Sequence, residues 1–496
     1  MNTNRPARVG IIGAGVAGLA TARQLVSRDI DCTVFERGGR LGGVWSIGYA
    51  GFGAQVQKEL YEFPDYPLPD GTPDFTPGET LQAYLEGYAR HFGVWERIRF
   101  GANVVELREG AADGRRWTLV TEGDGEARRE ETFDVVVMAV GLYSHTPHVP
   151  EFPGRERFGG EVMHVSELRD RDQLTGKRVV VVGFGKSATD AAIESAAVAD
   201  RTSLVFREPH WPVPQKLLGL VPFKWAMLSR LTSALIPQYY EPSRAERTIH
   251  TLGRPLVWLW WRIVELLLIG QHRLGSRRGR RVSLVPSTPV EVDTLGEATM
   301  LPRPQLYRLL RNGGIDPHRT RIAAFTETGV RLADGRTLGA DTVVMGTGWS
   351  TRPAFLSDAL RARIGLEDDG CYLYRQIVHP DVPWLAFVGN AATIQNIATY
   401  SIQARWLAEL IEGSHRLPDA ETMRRDIDRM RAWKRSVMPY SSARGARLLL
   451  HMLHYHDQLL VDMGVDPRRK QGLLGPFKEV FAPYECADYR PVVATG

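Results

Sequence analysis

Cysteine is scarce in this chain of 496 residues. Cys32, Cys371 and Cys486 stand far apart, and none forms a CxxC pair or falls at metal-ligand spacing. That excludes a redox-active cysteine pair and a thiolate metal centre, and a cytoplasmic location follows as the default. No metal site is expected. His451, His454 and His456 are close in sequence, but no carboxylate or cysteine spacing accompanies them, and they read as surface or packing residues. Charge of one sign is not in excess either: 62 Lys and Arg against 57 Asp and Glu leave +5, which suggests no nucleic-acid partner. No apolar run reaches the roughly 20 residues of a membrane-spanning helix. No signal peptide is expected, because an apolar strand begins within the first ten residues. The balance of 43% hydrophobic and 24% charged residues is that of a soluble globular protein, and the length calls for two or three domains.

What is present is organised around Arg8-Val-Gly-Ile-Ile-Gly-Ala-Gly-Val-Ala-Gly18. Val9 to Ile12 is an apolar run expected to form a short buried strand. Residues 17–26 have helical spacing, and Cys32 to Phe35 is a second strand ending at Glu36. Gly13, Gly15 and Gly18 spell GxGxxG across the first turn. Gly13 permits the tight turn, Gly15 lets the backbone approach a pyrophosphate, and Gly18 lets the helix pack closely on the strand. The helix N-terminus adds free N–H groups and a positive dipole end. Glu36 stands where an acid binds a ribose hydroxyl. The chain continues as Glu36-Arg-Gly-Gly-Arg-Leu-Gly-Gly-Val-Trp45, a second glycine-rich loop. Such backbone can lie along a large flat ring, so Arg37, Gly43, Val44 and Trp45 favour FAD over NAD at this unit.

Residues 50–75 are turn-rich and aromatic and are expected to wrap a site or another domain. An amphipathic helix is expected over 80–92, antiparallel strands over 100–107 and 116–121, and a buried strand from Phe133 to the small-residue turn at Gly141. After Pro147, Pro150 and Pro153 comes a second dinucleotide unit. Lys177 to Gly183 reads as a strand, Gly183-Phe-Gly-Lys-Ser-Ala188 is GxGxxA, residues 189–197 are helical, and Ser203 to Phe206 is the next strand. Gly183, Gly185, Lys186, Ser187 and Ala188 would form its phosphate turn. Arg207 ends the second strand where the first unit has Glu36. An acid there repels a 2′-phosphate and an arginine pairs with one, so the second ligand is read as NADPH.

Residues 211–300 do not fit a compact unit of this kind. Within them Pro255 to Gly270 is an apolar, helix-like run whose only charges are Arg262 and Glu265, followed by a basic stretch from His272 to Arg281. Three readings compete: a buried core helix, a lid over an apolar substrate, and peripheral membrane contact through residues 255–281. Residues 341–348 repeat the strand-then-small-turn pattern of 134–141, which suggests that the chain returns to complete the first sheet. Gly389, before the helical stretch 400–411, is placed to bring a helix N-terminus to a flavin. The expected fold is α/β, with two Rossmann-like dinucleotide-binding domains, the NADPH domain inserted into the FAD domain, and an extra helical insertion. The expected boundaries are 1–150 for the first part of the FAD domain and 151–330 for the NADPH domain with its insertion. The FAD domain then resumes over 331–450, and 451–496 form a C-terminal extension.

Both glycine fingerprints, the Gly42-Gly-Val-Trp45 loop, Lys58-Glu59 with Phe63-Pro-Asp-Tyr-Pro67, and Phe158-Gly-Gly160-Glu-Val-Met-His164 occur together over residues 8–410. With Gln403-Ala-Arg-Trp406 they make the sequence resemble the flavin-containing monooxygenases. The resemblance implies FxGxxxH linker roles for Phe158, Gly160 and His164, and FAD contacts for Gly141, Gly389 and Gln403. It also implies a chemistry. NADPH reduces FAD, O₂ forms a C4a-hydroperoxide on the reduced flavin, and one oxygen passes to a small, partly apolar substrate at nitrogen or sulfur. Baeyer–Villiger oxidation of a ketone is the alternative, and an FAD/NADPH electron-transfer reductase is the alternative of another class. The linker motif departs from the family pattern: Leu168 and Arg169 stand where heteroatom oxygenases have Tyr or Phe and Baeyer–Villiger enzymes Trp-Pro. Gln55 stands where the former have a catalytic Asn and the latter an Asp, so Gln55 is the candidate catalytic residue.

Overall fold

The computed structural model describes the chain apart from residues 1–6, 111–112, 124–126, 144–145, 276–281, 297–302, 304, 351 and 495–496. Its first sheet is built on β1 (Arg8–Ile12), which runs parallel to β2 (Asp31–Phe35) on one side and β3 (Val135–Met138) on the other. The helix α1 (Val16–Val26) connects β1 to β2. β1 and β3 are buried on both faces, which is why they read as continuous apolar runs without alternation. An antiparallel meander of Asn103–Glu109, Trp117–Glu122 and Arg129–Phe133 covers one face. Gly10 makes room for it, since a Cβ there would stand 2.9 Å from Leu119 and 3.0 Å from Phe133.

The second sheet contains β4 (Glu161–His164), β5 (Arg178–Val182), β6 (Arg201–Phe206), β7 (Asp316–Arg319) and β8 (Thr342–Met345). Its order is β7-β6-β5-β8-β4, with every neighbouring pair parallel. The helix α2 (Lys186–Val198) connects β5 to β6. Here one expectation is corrected. Residues 342–345 pair with β5 and β4 and so complete the second sheet, not the first. The second unit therefore runs past the expected boundary at 330. The chain returns to the first sheet at Val378–His379, which pairs antiparallel with β9 (Val382–Phe387), and β9 lies parallel to β3.

The insertion is helical, and its longest element is α3 (Arg254–His272). Of this helix only Trp261, Val264 and Leu268 are buried. Leu256, Leu259, Trp260, Ile263 and Leu266 recur at three- and four-residue spacing on the opposite side, with Leu256 72% and Leu266 68% exposed. The core-helix reading is thus corrected: the helix is apolar all round and packs on one side only. Arg262 is tied to Glu265 at 2.8 Å and Glu291 at 2.5 Å, which settles the only charges of the run. Among the described residues no helix is long and apolar enough to cross a membrane. Residues 276–281 of the basic stretch lie outside the described residues. The helix α4 (Asn396–Glu412) packs against α1 and against the helix Met452–Asp462 of the C-terminal part.

Candidate functional site

In the first unit the glycines stand where the turn demands them. Gly13 has φ +104°, and a Cβ on Gly18 would run into the carbonyl of Gly13. The second glycine loop lies directly on the first: the Gly42 N–H donates to the Ala14 carbonyl at 2.9 Å, and Gly43, at φ +59°, faces Gly15. A side chain at Gly43 would stand 3.3 Å from the Gly15 Cα, so the two loops form a cradle bounded by backbone alone. Glu36 reaches this turn, accepting from the Ala14 N–H at 2.9 Å and the Gly38 N–H at 2.8 Å. No acid occupies the first turn of α1, which leaves its dipole end for an anion. Arg37 is exposed beyond the strand, and Val44 is partly open to solvent. Trp45 is stacked on Phe52 at 6.0 Å and meets the edge of Tyr61 at 5.5 Å. These features fit a dinucleotide with a large planar ring.

Gly141 and Gly389 line one cavity at the C-terminal ends of β3 and β9, together with Asn390 and Cys371. Gln403 lies behind this cavity and does not line it. Its Oε1 accepts from the Gly389 N–H at 2.9 Å and its Nε2 donates to the Tyr455 hydroxyl at 2.7 Å. Gln403 thus supports the Gly389 turn from behind. The Phe63-Pro-Asp-Tyr-Pro67 stretch is a packing device. Phe63 stacks on Tyr88 at 3.6 Å, and Asp65 pairs with Arg23 of α1 at 2.8 Å.

The second unit repeats the design with one exchange. Gly183 has φ +118°, Gly185 precedes α2, and Ser187 is half-buried in its first turn. Ala188 fills the third glycine position, and Gly346 at the end of the adjacent β8 compensates: a Cβ there would lie 2.5 Å from that of Ala188. Lys186 pairs with the buried Asp190 one turn along the helix. Arg207 is exposed and shares a surface hollow with Thr320, Arg321, Ala333 and Asp334. Arg321 went unforeseen because it arrives from the far end of the unit, 114 positions after Arg207 (321 − 207). The two guanidinium-bearing residues make the hollow suitable for a dianion.

The linker residues are tethers. Phe158 is buried 5.2 Å from Phe325, and a Cβ on Gly160 would lie 2.5 Å from the Asp341 carbonyl. His164 is buried, donating from Nε2 to the Gly348 carbonyl at 3.1 Å and accepting at Nδ1 from the Ser166 hydroxyl at 2.8 Å. Burial holds its pKa below the usual histidine range, although the Gly348 carbonyl pulls the other way. Gln55 is exposed in the loop after Trp45. Sequence reasoning passed over its neighbour Gln57, whose Oε1 is buried without a hydrogen-bond partner. His451, His454 and His456 turn to separate partners, Pro237, Glu246 and the pair Thr399 and Tyr489.

Two dinucleotide turns, one ending in an acid and one in an arginine, define a flavoprotein that draws electrons from a nicotinamide cofactor. Residues 6–244 and 309–490 match the family described as FMO-like, flavin-binding monooxygenase-like, and the chain belongs to that family. It is 30% identical to probable flavin-containing monooxygenase 1 of Arabidopsis thaliana, across 97% of this chain and 96% of that protein. It is 27% identical to the N-oxide-forming dimethylaniline monooxygenase 2 of Mus musculus, across 93% and 83%. Among solved structures it resembles the S-allyl-L-cysteine S-oxygenase of Allium sativum, with TM-score 0.64 and 20% identity over 99% of this chain and 94% of that one. It also resembles the polycyclic ketone monooxygenase of Thermothelomyces thermophila, with TM-score 0.71 and 18% identity over 94% and 89%. At such identities these two likenesses speak for the fold. The protein is an NADPH- and O₂-dependent monooxygenase with FAD and NADPH as cofactors.

Proposed function

We propose that this enzyme transfers one oxygen atom of O₂ to a nitrogen or sulfur atom of a small, partly apolar organic substrate. FAD supplies the oxygen-activating chemistry when bound, and the chain supplies position, a dry pocket and hydrogen bonds. We assign the FAD pyrophosphate to Gly13, Gly15 and Gly18 at the start of α1, and its ribose to Glu36. Gly43, Val44 and Trp45 follow for the ring. NADPH is assigned to Gly183, Gly185, Lys186, Ser187 and Ala188, with Arg207 and Arg321 for its 2′-phosphate.

The observation that carries the reaction type is the amide chemistry of the loop after Trp45. Gln55 and Gln57 are its amide side chains, and no carboxylate stands between Trp45 and Lys58. An amide both donates and accepts, which suits holding a neutral, protonated oxygen donor for attack by a lone pair on nitrogen or sulfur. The N-oxide-forming relative is consistent with this. The ketone monooxygenase among the structural neighbours keeps ester formation as the second reading. A panel of tertiary amines, thioethers and ketones under ¹⁸O₂, followed for NADPH loss and product mass, decides between them. Label in N-oxides or sulfoxides supports the proposal; label only in esters or lactones selects the second reading, and no label in any product refutes both.

The outward apolar side of α3 favours peripheral contact with a membrane surface over a lid, because a lid would turn its apolar side toward the protein. Arg244, Arg247 and Arg254 are exposed at its N-terminal end and would face anionic headgroups. Co-flotation with anionic vesicles that is reversed by salt is the expected result. Loss of substrate turnover in Leu256→Ser with no change in flotation would favour the lid instead.

A further inference from the structure

Residues 46–52 follow the glycine loop that ends at Trp45 and belong by sequence to the first unit, yet they are attached to the second. Arg169, just beyond the linker motif, donates from its guanidinium to the carbonyls of Ile47 at 2.6 Å and Gly48 at 2.7 Å. The Ala50 N–H donates to the carbonyl of the buried Leu168 at 2.8 Å. The Tyr49 hydroxyl donates to Oδ2 of Asp190 on α2 at 2.9 Å. Gly51, at φ +75°, lies where a Cβ would run into the Glu194 carboxylate of the same helix.

Asp190 is the centre of this arrangement. Its side chain is 2% exposed, and the oxygen that accepts from Tyr49 is also the one paired with Lys186 of the phosphate turn. Arg303 stands 3.9 Å from its other oxygen. A carboxylate so deeply buried persists only when it is paired and hydrogen-bonded. What the carboxylate adds is a defined geometry: Tyr49 of the flavin loop and Lys186 of the nicotinamide unit are fixed on one atom. Burial and the Asp190 charge both hold the Tyr49 phenol protonated, so it remains a donor.

We propose that residues 46–52 form a strap that registers the flavin loop on the NADPH unit, with Asp190, Tyr49 and Arg169 as positioning residues for hydride transfer between the cofactors. In that transfer NADPH loses a hydride and becomes NADP⁺, while the oxidised flavin gains the hydride and a proton from solvent. The proposal rests on the assignment of residues 43–45 to FAD and 183–188 to NADPH. It gives Arg169 a role at the end of the linker motif, where its guanidinium holds the strap. Transfer rates fall steeply with small misplacements of the reacting atoms, so a slack strap slows reduction without loosening either cofactor.

The test is anaerobic stopped-flow reduction of the FAD-loaded enzyme by NADPH. Tyr49→Phe removes one hydroxyl and leaves the Lys186–Asp190 pair in place. It should lower the limiting reduction rate about tenfold, with half-saturating NADPH and FAD content per chain within about twofold of wild type. Arg169→Met should do the same from the exposed end of the strap and speed amide hydrogen exchange in residues 46–52, and Arg169→Lys should restore part of both. A limiting rate unchanged in Tyr49→Phe and Arg169→Met overturns the strap while leaving the cofactor assignments standing. A rise in half-saturating NADPH alone also overturns it, because that is a binding role. If wild type is not reduced by NADPH at all, the cofactor assignments fail and the strap with them.

Discussion

At the end of β2 the chain carries Glu36, whose carboxylate is drawn into the glycine turn by two backbone N–H groups. At the end of β6, the matching place in the second unit, it carries Arg207, open to solvent beside Arg321. The strand, turn and helix around the two are alike, and the glycines at the first turn position share one backbone conformation, φ +104° at Gly13 and +118° at Gly183. The common skeleton therefore specifies only that a dinucleotide binds. On the assignment proposed above, which dinucleotide binds is set by the side chains at the strand end. A second contrast concerns the third position, Gly18 against Ala188. Gly18 is pressed on its own turn, whereas Ala188 is accommodated by Gly346 of the adjacent strand's end. Close helix–strand packing is thus a property of two facing surfaces, and either can supply the missing atoms' space.

The largest expected effect breaks the steric half of the comparison. Gly18→Ala should purify with FAD content below about a tenth of wild type, because the new methyl overlaps the Gly13 carbonyl and opens the phosphate turn. Ala188→Gly should leave NADPH binding within about twofold, since it only removes a methyl from an already matched surface. Equal FAD content in Gly18→Ala and wild type would show that the turn can relax, and the comparison would lose its steric basis.

Much of this was legible because the fingerprints are local. Gly13 to Gly18, Glu36, Gly183 to Ala188 and Arg207 each lie within about thirty residues of the strand that gives them meaning, and the elements follow from period and turn chemistry. What was not legible depends on distant chain. Residues 342–345 look like residues 135–138 in sequence, and only pairing with β5 and β4 decides their sheet. Arg321 joins Arg207 from another strand connection, and Gln403 has its amide consumed by Gly389 and Tyr455. An all-round apolar helix such as α3 has no period that says which side is covered.

Next in size is Gln55→Ala. It should still bind FAD and consume NADPH, but hydrogen peroxide released per NADPH should rise about tenfold or more at the expense of product. Gln57→Ala is the sharpening control, since its buried, unpartnered oxygen makes it the other amide able to serve. Peroxide release unchanged in both variants would remove the amides from the chemistry.

Arg321→Ala should raise the half-saturating NADPH concentration about five- to tenfold and leave NADH nearly untouched, as expected for the loss of one charge-assisted partner of a phosphate. An equal change for both nucleotides would assign Arg321 to the fold of the second unit and not to its ligand.

The smallest effect concerns stability and pH. Burial lowers the pKa of His451 and His456 to about 3 and of His272 to about 4, from an ordinary value of 6.5. The unfolded chain takes up these protons as pH falls below 6.5 while the folded chain does not, so stability is full above that value and declines toward pH 4. Each histidine contributes at most about 1.4 kcal/mol per pH unit to the decline. Thermal unfolding followed between pH 7 and 4.5 checks this, and His456→Gln should flatten the slope. A slope unchanged in that variant would place the acid sensitivity elsewhere.

The charge half of the comparison is tested most directly by Arg207→Ala in anaerobic single-turnover reduction with NADPH and with NADH. Wild type should half-saturate with NADPH at a concentration at least about tenfold below that for NADH. In Arg207→Ala the NADPH value should rise about ten- to a hundredfold while the NADH value and the limiting rate of reduction stay within about twofold. Equal use of both nucleotides by wild type, or an Arg207→Ala enzyme that still prefers NADPH as strongly, would contradict the account.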